Sequence, residues 1–216
     1  MKNFTKMTWK IPASTIDRLS IYMRALDKLG LDGMETVSSL QLAELSGVNS
    51  AQLRKDLAYF GQFGTRGRGY EIKSLLQNLR KILGVDKKWK TVLIGIGNLG
   101  SALLAYPEFK EEGFEVVGAF DNSFSKVGKK LEGIKIQEID KVEAFLKIEK
   151  IKIGIITTPA TVAQEVADSL VKGGVKAILN FAPVSLNVAK GIKVKNVDLS
   201  KELESLSYFL THKKTV

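Results

Sequence analysis

Three glycines at the end of an apolar run offer the clearest chemistry in the sequence. Gly95, Gly97 and Gly100 form a G-x-G-x-x-G pattern, GIGNLG, directly after TVLI and at the start of a helical segment. There the first glycine permits a tight turn, the second lets the backbone approach a pyrophosphate, and the third lets helix and strand pack closely. The helix N-terminus adds unpaired N–H donors. The turn, with Asn98 and Leu99, is therefore a predicted dinucleotide-binding site.

An acidic residue follows this turn at the expected distance. Asp121 ends the next predicted strand, EVVGAF, 21 residues beyond Gly100. A carboxylate there hydrogen-bonds the adenosine ribose and repels a 2′-phosphate, which favours NADH and NAD⁺ over their phosphorylated forms. A lysine loop just beyond Asp121 leaves NADP(H) open, although solvated lysines explain it too; it contains Lys126, Lys129 and Lys130. A Rossmann domain that has lost its ligand is a further alternative.

The nicotinamide end of such a site lies near the carboxyl ends of the strands, at the switch point of the sheet. Two strand ends supply the candidates there. They are Thr157, Thr158 and Pro159 after IGII, and Asn180 and Phe181 after KAIL. Both groups are equally compatible with ordinary strand-ending loops.

A second concentration of functional residues lies in SAQLRKDLAYFGQFGTRGRGY, residues 50–70. Its first part reads as the second helix of a helix-turn-helix, whose N-terminal residues meet base edges in the major groove. The candidate DNA contacts in that helix are Ser50, Gln52, Arg54 and Lys55. The glycine-rich part predicts a β-hairpin wing in which Arg66, Gly67 and Arg68 approach the DNA backbone or minor groove. A solvated helix face is the alternative for Arg54 and Lys55.

The distribution of charge agrees with a polyanion-binding first part. The chain carries a net charge of +10, and residues 1–90 hold 16 Lys and Arg against 8 Asp and Glu. Helical spacing from Ile16 to Leu29, ended by Gly30, precedes the two short helices, and IKSLLQNLRKIL predicts another helix after the wing. Residues 1–84 are thus predicted to form a winged-helix DNA-binding domain that prefers double-stranded DNA.

The remainder alternates apolar strands with helices, which predicts an α/β fold with a parallel sheet covered on both faces. The predicted strands are residues 91–97, 115–120, 134–136, 151–158, 176–181 and 192–197. We assign residues 85–197 to a Rossmann-type NAD(H)-binding domain. Residues 198–216 form a C-terminal helix and tail whose apolar side includes Leu203 and Leu206. That side requires either a partner subunit or the helix's own domain as cover.

Composition excludes several classes of protein. With no cysteine in the chain, disulfides, thiolate metal sites and cysteine nucleophiles are excluded, and no metal site is predicted. No apolar run reaches membrane-spanning length and the start lacks a signal peptide, so we expect a cytoplasmic protein without a membrane partner. His212, the one histidine, lies near the terminus. A histidine is the most common acid–base catalyst, so its position favours a sensor over an enzyme.

Two alternatives to a DNA-binding sensor remain at the level of the sequence. One is an NAD(H)-dependent oxidoreductase with an appended winged-helix module. The other is a winged-helix protein–protein module joined to a degenerate Rossmann domain. Turnover of NADH with a carbonyl substrate would favour the first, and absence of sequence-specific duplex binding would favour one of the two.

Three segments together resemble the Rex family of redox-sensing repressors. They are RKDLAYFGQFGTRGRGY, the turn GIGNLG with its following ALLAYP, and KAILNFAP, and the similarity runs from about Ile11 to His212. The resemblance implies a homodimer with N-terminal winged helices, Rossmann domains and a domain-swapped C-terminal helix. It implies binding to palindromic operators when NADH is scarce relative to NAD⁺, release on NADH binding, and control of respiration and fermentation genes.

The resemblance also implies roles for single residues. Tyr106 matches a tyrosine that senses the cofactor, and Arg24 and Asp198 match a pair whose contact between subunits changes with cofactor state. Leu199 matches a position where some members place phenylalanine against the partner's nicotinamide, and leucine offers no ring for stacking. Asn98 stands where some members have a basic residue beside the phosphates, so it adds a hydrogen-bond donor without a charge.

Overall fold

The computed structural model describes residues 11–65 and 67–212 of the 216-residue chain. The chain divides into two compact units, Met1–Lys87 and Lys88–Val216. The division falls inside the charged segment VDKKWK, near the predicted domain boundary at residue 84, and the individual domain limits stay predictions. No described helix has the length and apolar character needed to cross a membrane.

The first unit is a winged helix, as the sequence predicts. Its elements are α1 (Ala13–Leu31), β1 (Thr36–Val37), α2 (Ser39–Leu45), α3 (Ser50–Ala58), β2 (Tyr70–Glu71) and α4 (Ile72–Leu83). β1 and β2 pair antiparallel, and Thr65 bridges Gly69 in the loop between α3 and β2. This loop, residues 61–69, is the wing.

Side-chain caps define the helix-turn-helix. The Ser38 hydroxyl accepts from the backbone N–H of Gln41, and the Gln41 side chain accepts from the backbone N–H of Ser38, which is a capping box. Asn49 caps α3 by accepting from the backbone N–H of Gln52 at 2.7 Å. Between the two helices Gly47 adopts a φ of 66°. The turn is therefore set by local residues, which is why the sequence predicts it well.

The end of α1 differs from the prediction. Gly30 does not end the helix, which continues through Leu31. The reversal uses Gly33, which has a φ of 78°, and the backbone N–H of Met34 donates to the carbonyl of Leu29 at 3.0 Å. This is the hydrogen-bond pattern of a Schellman motif, in which a residue just past the helix end adopts the left-handed conformation. Here that residue is Gly33.

The core of the first unit is formed by all four helices and the wing base. Its fully buried side chains include Leu19, Tyr22, Leu26, Leu42, Leu53 and Leu79. Phe60 and Phe63 are partly buried against this core, and Tyr70 is buried within it. These three rings anchor the wing to the helices.

The second unit contains a twisted sheet with helices on both sides. Its strands are β3 (Trp89–Ile94), β4 (Phe114–Asp121), β5 (Lys130–Leu131), β6 (Ile134–Glu138), β7 (Ile153–Ile156), β8 (Ala177–Asn180) and β9 (Lys193–Asn196). Its helices are α5 (Asn98–Leu104), α6 (Pro107–Glu111), α7 (Val142–Glu149), α8 (Ala160–Lys172) and α9 (Leu199–Thr211). The sequence does not predict the short elements β5 and α6.

The strand order is β5-β6-β4-β3-β7-β8-β9. All neighbours are parallel except β5 and β6. Without β5 this is the order of a doubly wound dinucleotide-binding sheet, and its switch point lies between β3 and β7. Val92 and Ile94 pack into one core cluster and Leu93 into another, so both faces of the sheet are covered. The predicted Rossmann-type fold is confirmed.

The last helix, α9, lies with its apolar side uncovered in the single chain. Its large apolar residues are 59–71% exposed; they are Leu199, Leu203, Leu206, Tyr208, Phe209 and Leu210. Burying such a set would contribute several kcal/mol, at about 25 cal/mol per Å² of apolar surface. Contiguous exposed apolar surface of this kind marks an interaction site.

Candidate functional site

The glycine turn joins the end of β3 to the start of α5. Gly95 has a φ of 95°, and a Cβ there would lie 2.9 Å from Cγ2 of Thr158. A Cβ at Gly100 would overlap the carbonyl oxygen of Gly95. A Cβ at Gly97 would meet nothing within 4 Å, because this residue faces open space. Gly95 and Gly100 thus permit the turn, and Gly97 leaves room for a ligand.

A cleft of about 900 Å³ opens beside the turn. It is lined in part by Gly95, Gly97, Asp121, Thr157, Thr158 and Pro159. Six of the predicted cofactor residues therefore meet at one cleft, at the switch point of the sheet. This volume and the apolar lining with a few polar groups fit a nucleotide.

Asp121, the carboxylate predicted to bind the ribose, lines this cleft. Its buried carboxylate accepts hydrogen bonds from the backbone N–H of Ile96 at 2.7 Å and of Ser123 at 2.8 Å, and from Lys126 Nζ at 3.2 Å. Burial favours the neutral acid, but these hydrogen bonds outweigh it and lower the pKa of Asp121. An ionised carboxylate offers about four acceptor positions, so one remains for a ribose hydroxyl.

The strand end after β7 serves two purposes. Thr157 Oγ1 donates to the carbonyl oxygen of Gly95 at 2.6 Å or of Ile94 at 3.0 Å, which ties β7 to the glycine turn. Thr158 Oγ1 is buried and has no hydrogen-bond partner among the described residues. Buried hydroxyls without partners are uncommon in proteins, and one beside a cleft indicates a ligand group. The unpaired Thr158 hydroxyl and the open space at Gly97 both suit a bound dinucleotide, so the residues of this cleft fit such a ligand.

Asn180 and Phe181 do not line this cleft. The Asn180 amide nitrogen lies 2.9 Å from the carbonyl oxygen of Val184 and 2.9 Å from Asn196 Oδ1, and its Oδ1 accepts from the backbone N–H of Ala182. Asn180 is fully buried. The structure thus uses Asn180 to shape the loop after β8, and a direct contact with nicotinamide stays a prediction for both residues.

The remaining predicted cofactor residues lie around α5. Asn98 lines a smaller cleft of about 350 Å³, which Gly97 lines as well. Leu99 is exposed, and Tyr106, 47% exposed, precedes α6 with its ring edge-on to Phe109 at 5.3 Å. Neither Leu99 nor Tyr106 lines the larger cleft.

The helix α3 presents two cations to solvent. Arg54 and Lys55 are exposed, and Arg54 Nη1 donates to Ser39 Oγ of α2 at 3.0 Å, which orients the guanidinium. Ser50, at the start of α3, is half-buried. In the wing, Gly67 has a φ of 80° and Arg68 is exposed, whereas Arg66 lies outside the described residues. The exposed cations are suited to phosphates and guanine edges.

Gln52 has a different environment from its neighbours. Its Nε2 donates to Asp56 Oδ1 at 2.9 Å, so its amide is already held inside the unit. It is half-buried. In the structure the Gln52 side chain holds Asp56 by a hydrogen bond. A base contact by Gln52 stays a prediction.

Sequence reasoning did not find the buried charge network around Asp56. Asp56 is 0% exposed and accepts from Arg18 Nε at 2.6 Å and Nη2 at 2.8 Å. Tyr22 donates to it at 2.8 Å and Thr15 at 3.0 Å. Burial opposes its ionisation, but the hydrogen bonds from Arg18, Tyr22, Gln52 and Thr15 lower the pKa of Asp56 to about 2. The network fixes α3 against α1.

The predicted switch residues belong to both units. Arg24 is exposed on α1. Asp198 caps α9 by accepting from the backbone N–H of Ser200 at 3.0 Å and of Lys201 at 3.3 Å. Leu199 begins α9 and is 62% exposed. The contact between Arg24 and Asp198 across subunits stays a prediction.

Fold and sites define a class of protein. A winged helix with exposed cations on its recognition helix is joined to a Rossmann-type unit with a nucleotide cleft. Family profiles match both parts: "Putative DNA-binding protein N-terminus" over residues 10–58 and "CoA binding domain" over residues 86–184. A DNA-binding protein with a nucleotide-binding domain is thus the class that the profiles and the geometry describe together.

Whole-chain relatives identify the family. The chain is 53% identical to the redox-sensing transcriptional repressor Rex of Carboxydothermus hydrogenoformans, over 93% of this chain and 96% of the relative. It is 50% identical to the Rex repressor of Desulforamulus reducens, over 94% and 97%. The chain belongs to the Rex family of redox-sensing transcriptional repressors. These relatives are repressors, which confirms the prediction of a regulator over an oxidoreductase.

Solved structures of a Rex-family repressor, RSP, share the fold. The RSP complex with β-NAD⁺ and operator DNA has a TM-score of 0.90 and 40% identity, over 94% of each chain. The RSP complex with β-NADH has a TM-score of 0.84 and 38% identity, over 97% of this chain and 96% of that chain. RSP therefore binds a nicotinamide dinucleotide and operator DNA. These are the two kinds of ligand that the glycine turn and the basic helix predict for this chain.

Proposed function

We propose that this chain is a redox-sensing repressor that binds operator DNA through its winged helix and leaves it when NADH binds to its Rossmann unit. The observation that supports this most is the pairing of one nucleotide cleft with one cationic recognition helix in a chain similar throughout to RSP. RSP has been solved both with NAD⁺ on operator DNA and with NADH. In this proposal the chain controls respiration and fermentation genes in the cytoplasm.

The cleft favours NADH over NADPH. Four carboxylates line it, those of Asp121, Asp140, Glu143 and Glu165. A 2′-phosphate would add about two negative charges next to Asp121, whose lowered pKa keeps it ionised at neutral pH. The acidic lining therefore disfavours the phosphorylated cofactor.

The working form is a homodimer. The uncovered apolar side of α9 supplies a surface for a second copy, which in this proposal receives the helix as a domain-swapped element. Two recognition helices related by a two-fold axis read a palindrome, with half-sites one or more helical turns apart. NADH releases DNA by changing the relation between the two recognition helices. By this proposal, Arg24, Tyr106 and Asp198 report the cofactor state between subunits.

A titration on DNA tests the function. On a palindromic operator followed by fluorescence anisotropy, we expect NADH to release the protein, and NAD⁺ and NADPH to act only at much higher concentration. Because linkage is reciprocal, operator DNA must weaken NADH binding by the factor by which NADH weakens operator binding. An NADH affinity that stays the same with and without operator would rule out this mechanism.

Substituting Arg54 tests the DNA side separately. Arg54→Ala removes an oriented guanidinium from α3, so we expect operator affinity to fall about 10- to 100-fold, as for loss of a bidentate base contact. NADH binding should stay intact, since Arg54 belongs to the first unit. Lys81→Ala, which removes an exposed cation from α4, is the control and should change operator affinity little. Equal losses in both variants would show that only general charge matters.

A further inference from the structure

The nucleotide cleft has an unbalanced charge. Of the described residues that line it, four carry carboxylates and Lys126 alone is a cation. The glycine turn itself, GIGNLG, contains no basic residue. A dinucleotide brings a pyrophosphate with two negative charges into this setting. Backbone N–H groups supply partial charges only, so a full positive charge close to the turn would strengthen the binding of the pyrophosphate.

Lys126 is the cation that lines the cleft beside the ribose-binding acid. Its Nζ is 3.2 Å from Oδ2 of Asp121, and the same oxygen accepts from the backbone N–H of Ile96 inside the glycine turn at 2.7 Å. Among the described residues, Lys126 and Gly97 are the two that line both the larger cleft and the smaller one beside Asn98. The ammonium therefore contacts the ribose-binding acid, and Lys126 lines the same clefts as the glycine that leaves room for phosphate.

The backbone holds Lys126 in place while its side chain keeps access to the cleft. The backbone N–H of Lys126 donates to the carbonyl oxygen of Ser123 at 2.9 Å, and Asp121 accepts from the backbone N–H of Ser123. The Lys126 side chain is 38% exposed. Because Asp121 is buried and Lys126 is part-exposed, the ion pair leaves the lysine side chain accessible from the cleft.

Given the proposed NADH site, we propose that Lys126 is a cofactor-binding residue whose ammonium pairs with the dinucleotide pyrophosphate. It supplies the positive charge that the glycine turn lacks, while Asp121 keeps its ribose acceptor position. Three donor hydrogens on Nζ allow it to bond the carboxylate and a phosphate oxygen together. The neighbouring Lys129 and Lys130 line the smaller cleft and not the larger one, so they do not share this role.

A comparison of NADH, ADP and adenosine, of which only adenosine has no phosphate, isolates the phosphate contact. In Lys126→Met we expect NADH affinity, measured by titration of its fluorescence, to fall about 10-fold or more, as for loss of a charge-assisted hydrogen bond. ADP, measured by competition with NADH, should weaken similarly, whereas adenosine, which has no phosphate, should change less than about twofold. Lys126→Arg keeps the charge and should retain most of the affinity. Lys129→Met is the matched control from the same loop and should behave as the unmodified chain.

Two results would overturn the proposal. One is unchanged NADH and ADP affinity in Lys126→Met. The other is an equal loss for adenosine and ADP, which would mean that Lys126 acts on Asp121 and the ribose alone. If the unmodified chain failed to bind NADH, the proposed function itself would be contradicted, and this role with it. An unchanged unfolding temperature for Lys126→Met, checked by circular dichroism, confirms that each loss arises at the cleft.

Discussion

Replacing Asp56 by alanine is expected to destabilise the first unit by about 3–5 kcal/mol and to abolish operator binding. This is the cost of removing one partner of a buried ion pair. The reason is that Asp56 of α3 accepts hydrogen bonds from three side chains of α1 and from one side chain of its own helix. The donors are Thr15, Arg18 and Tyr22 of α1, at 2.6–3.0 Å, and Gln52 of α3 at 2.9 Å.

A conservative change separates the charge of Asp56 from its shape. Asp56→Asn keeps one oxygen acceptor but no charge, so Arg18 loses its ionic partner. Because burial, which raises the pKa of Tyr22, persists in this variant, the Tyr22 hydroxyl remains a donor at neutral pH and competes for the single oxygen. The loss should therefore still exceed 1 kcal/mol.

The pH dependence provides an independent readout. The pKa of Asp56 is about 2 in the folded protein and its ordinary value is 3.8. A depressed pKa adds stability that is present above the unfolded value and is lost as pH falls from about 4 towards 2. The unmodified first unit should weaken across this range, and Asp56→Asn should lack that part of the slope.

Chemical denaturation followed by circular dichroism measures these effects. Asp27→Ala is the matched control, since Asp27 also joins α1 to another helix through an ion pair, to Arg80 at 3.2 Å. That pair is part-exposed, so its loss should cost less than about 1 kcal/mol. If Asp27→Ala and Asp56→Ala cost the same, the buried network has no special part in holding α3.

The elements that position the sites could be predicted because their signals are local. The helix IKSLLQNLRKIL is observed at its predicted bounds, Ile72–Leu83, since its apolar period and closing Gly84 lie within one stretch of chain. The glycine turn likewise carries its own context of strand before and helix after. The strand order then places Asp121 beside that turn, as the spacing of the motif requires.

The Asp56 network could not be predicted because its partners are far apart in sequence. Arg18 lies 38 residues from Asp56 and Thr15 lies 41 residues away. Within RKDL, three consecutive charged residues look like a solvated stretch of helix. The one local signal of burial is that Asp56 lies between Leu53 and Leu57, which both face the core. Because a buried carboxylate requires hydrogen-bond donors, this position indicates partners elsewhere in the chain.

Sequence also cannot tell which polar groups are already in use. Asn180 and Thr158 both follow buried strands and look alike as candidates. In the structure the Asn180 amide is fully engaged by its own loop, whereas the Thr158 hydroxyl is buried without a partner among the described residues. The difference depends on loop paths that no local pattern encodes.

The second large effect is expected from Gly100→Ala, which should lower the unfolding free energy of the Rossmann unit by about 3 kcal/mol, the upper range for overpacking. The added methyl group overlaps the carbonyl oxygen of Gly95 and lies 2.9 Å from Thr157 Oγ1. Backbone atoms cannot move aside as a flexible side chain can. Because the turn must open to accept the methyl group, NADH binding should be lost as well.

Gly97→Ala serves as the control, because it should leave the stability of the Rossmann unit nearly unchanged while it weakens NADH binding. Its φ of −80° suits alanine, and its methyl group meets no protein atom within 4 Å, so stability should change by less than about 0.5 kcal/mol. The same methyl group occupies the space left for the pyrophosphate, so NADH affinity should fall more than about 10-fold.

Thermal unfolding with and without NADH measures both properties at once. The transition that NADH raises belongs to the Rossmann unit, since a ligand stabilises the unit to which it binds. We expect Gly100→Ala to lower that transition in the absence of NADH, and Gly97→Ala to leave it in place but remove its response to NADH. A Gly97→Ala protein that still responds fully would mean that the pyrophosphate does not approach the backbone at Gly97, and the cleft would then bind its nucleotide in another way.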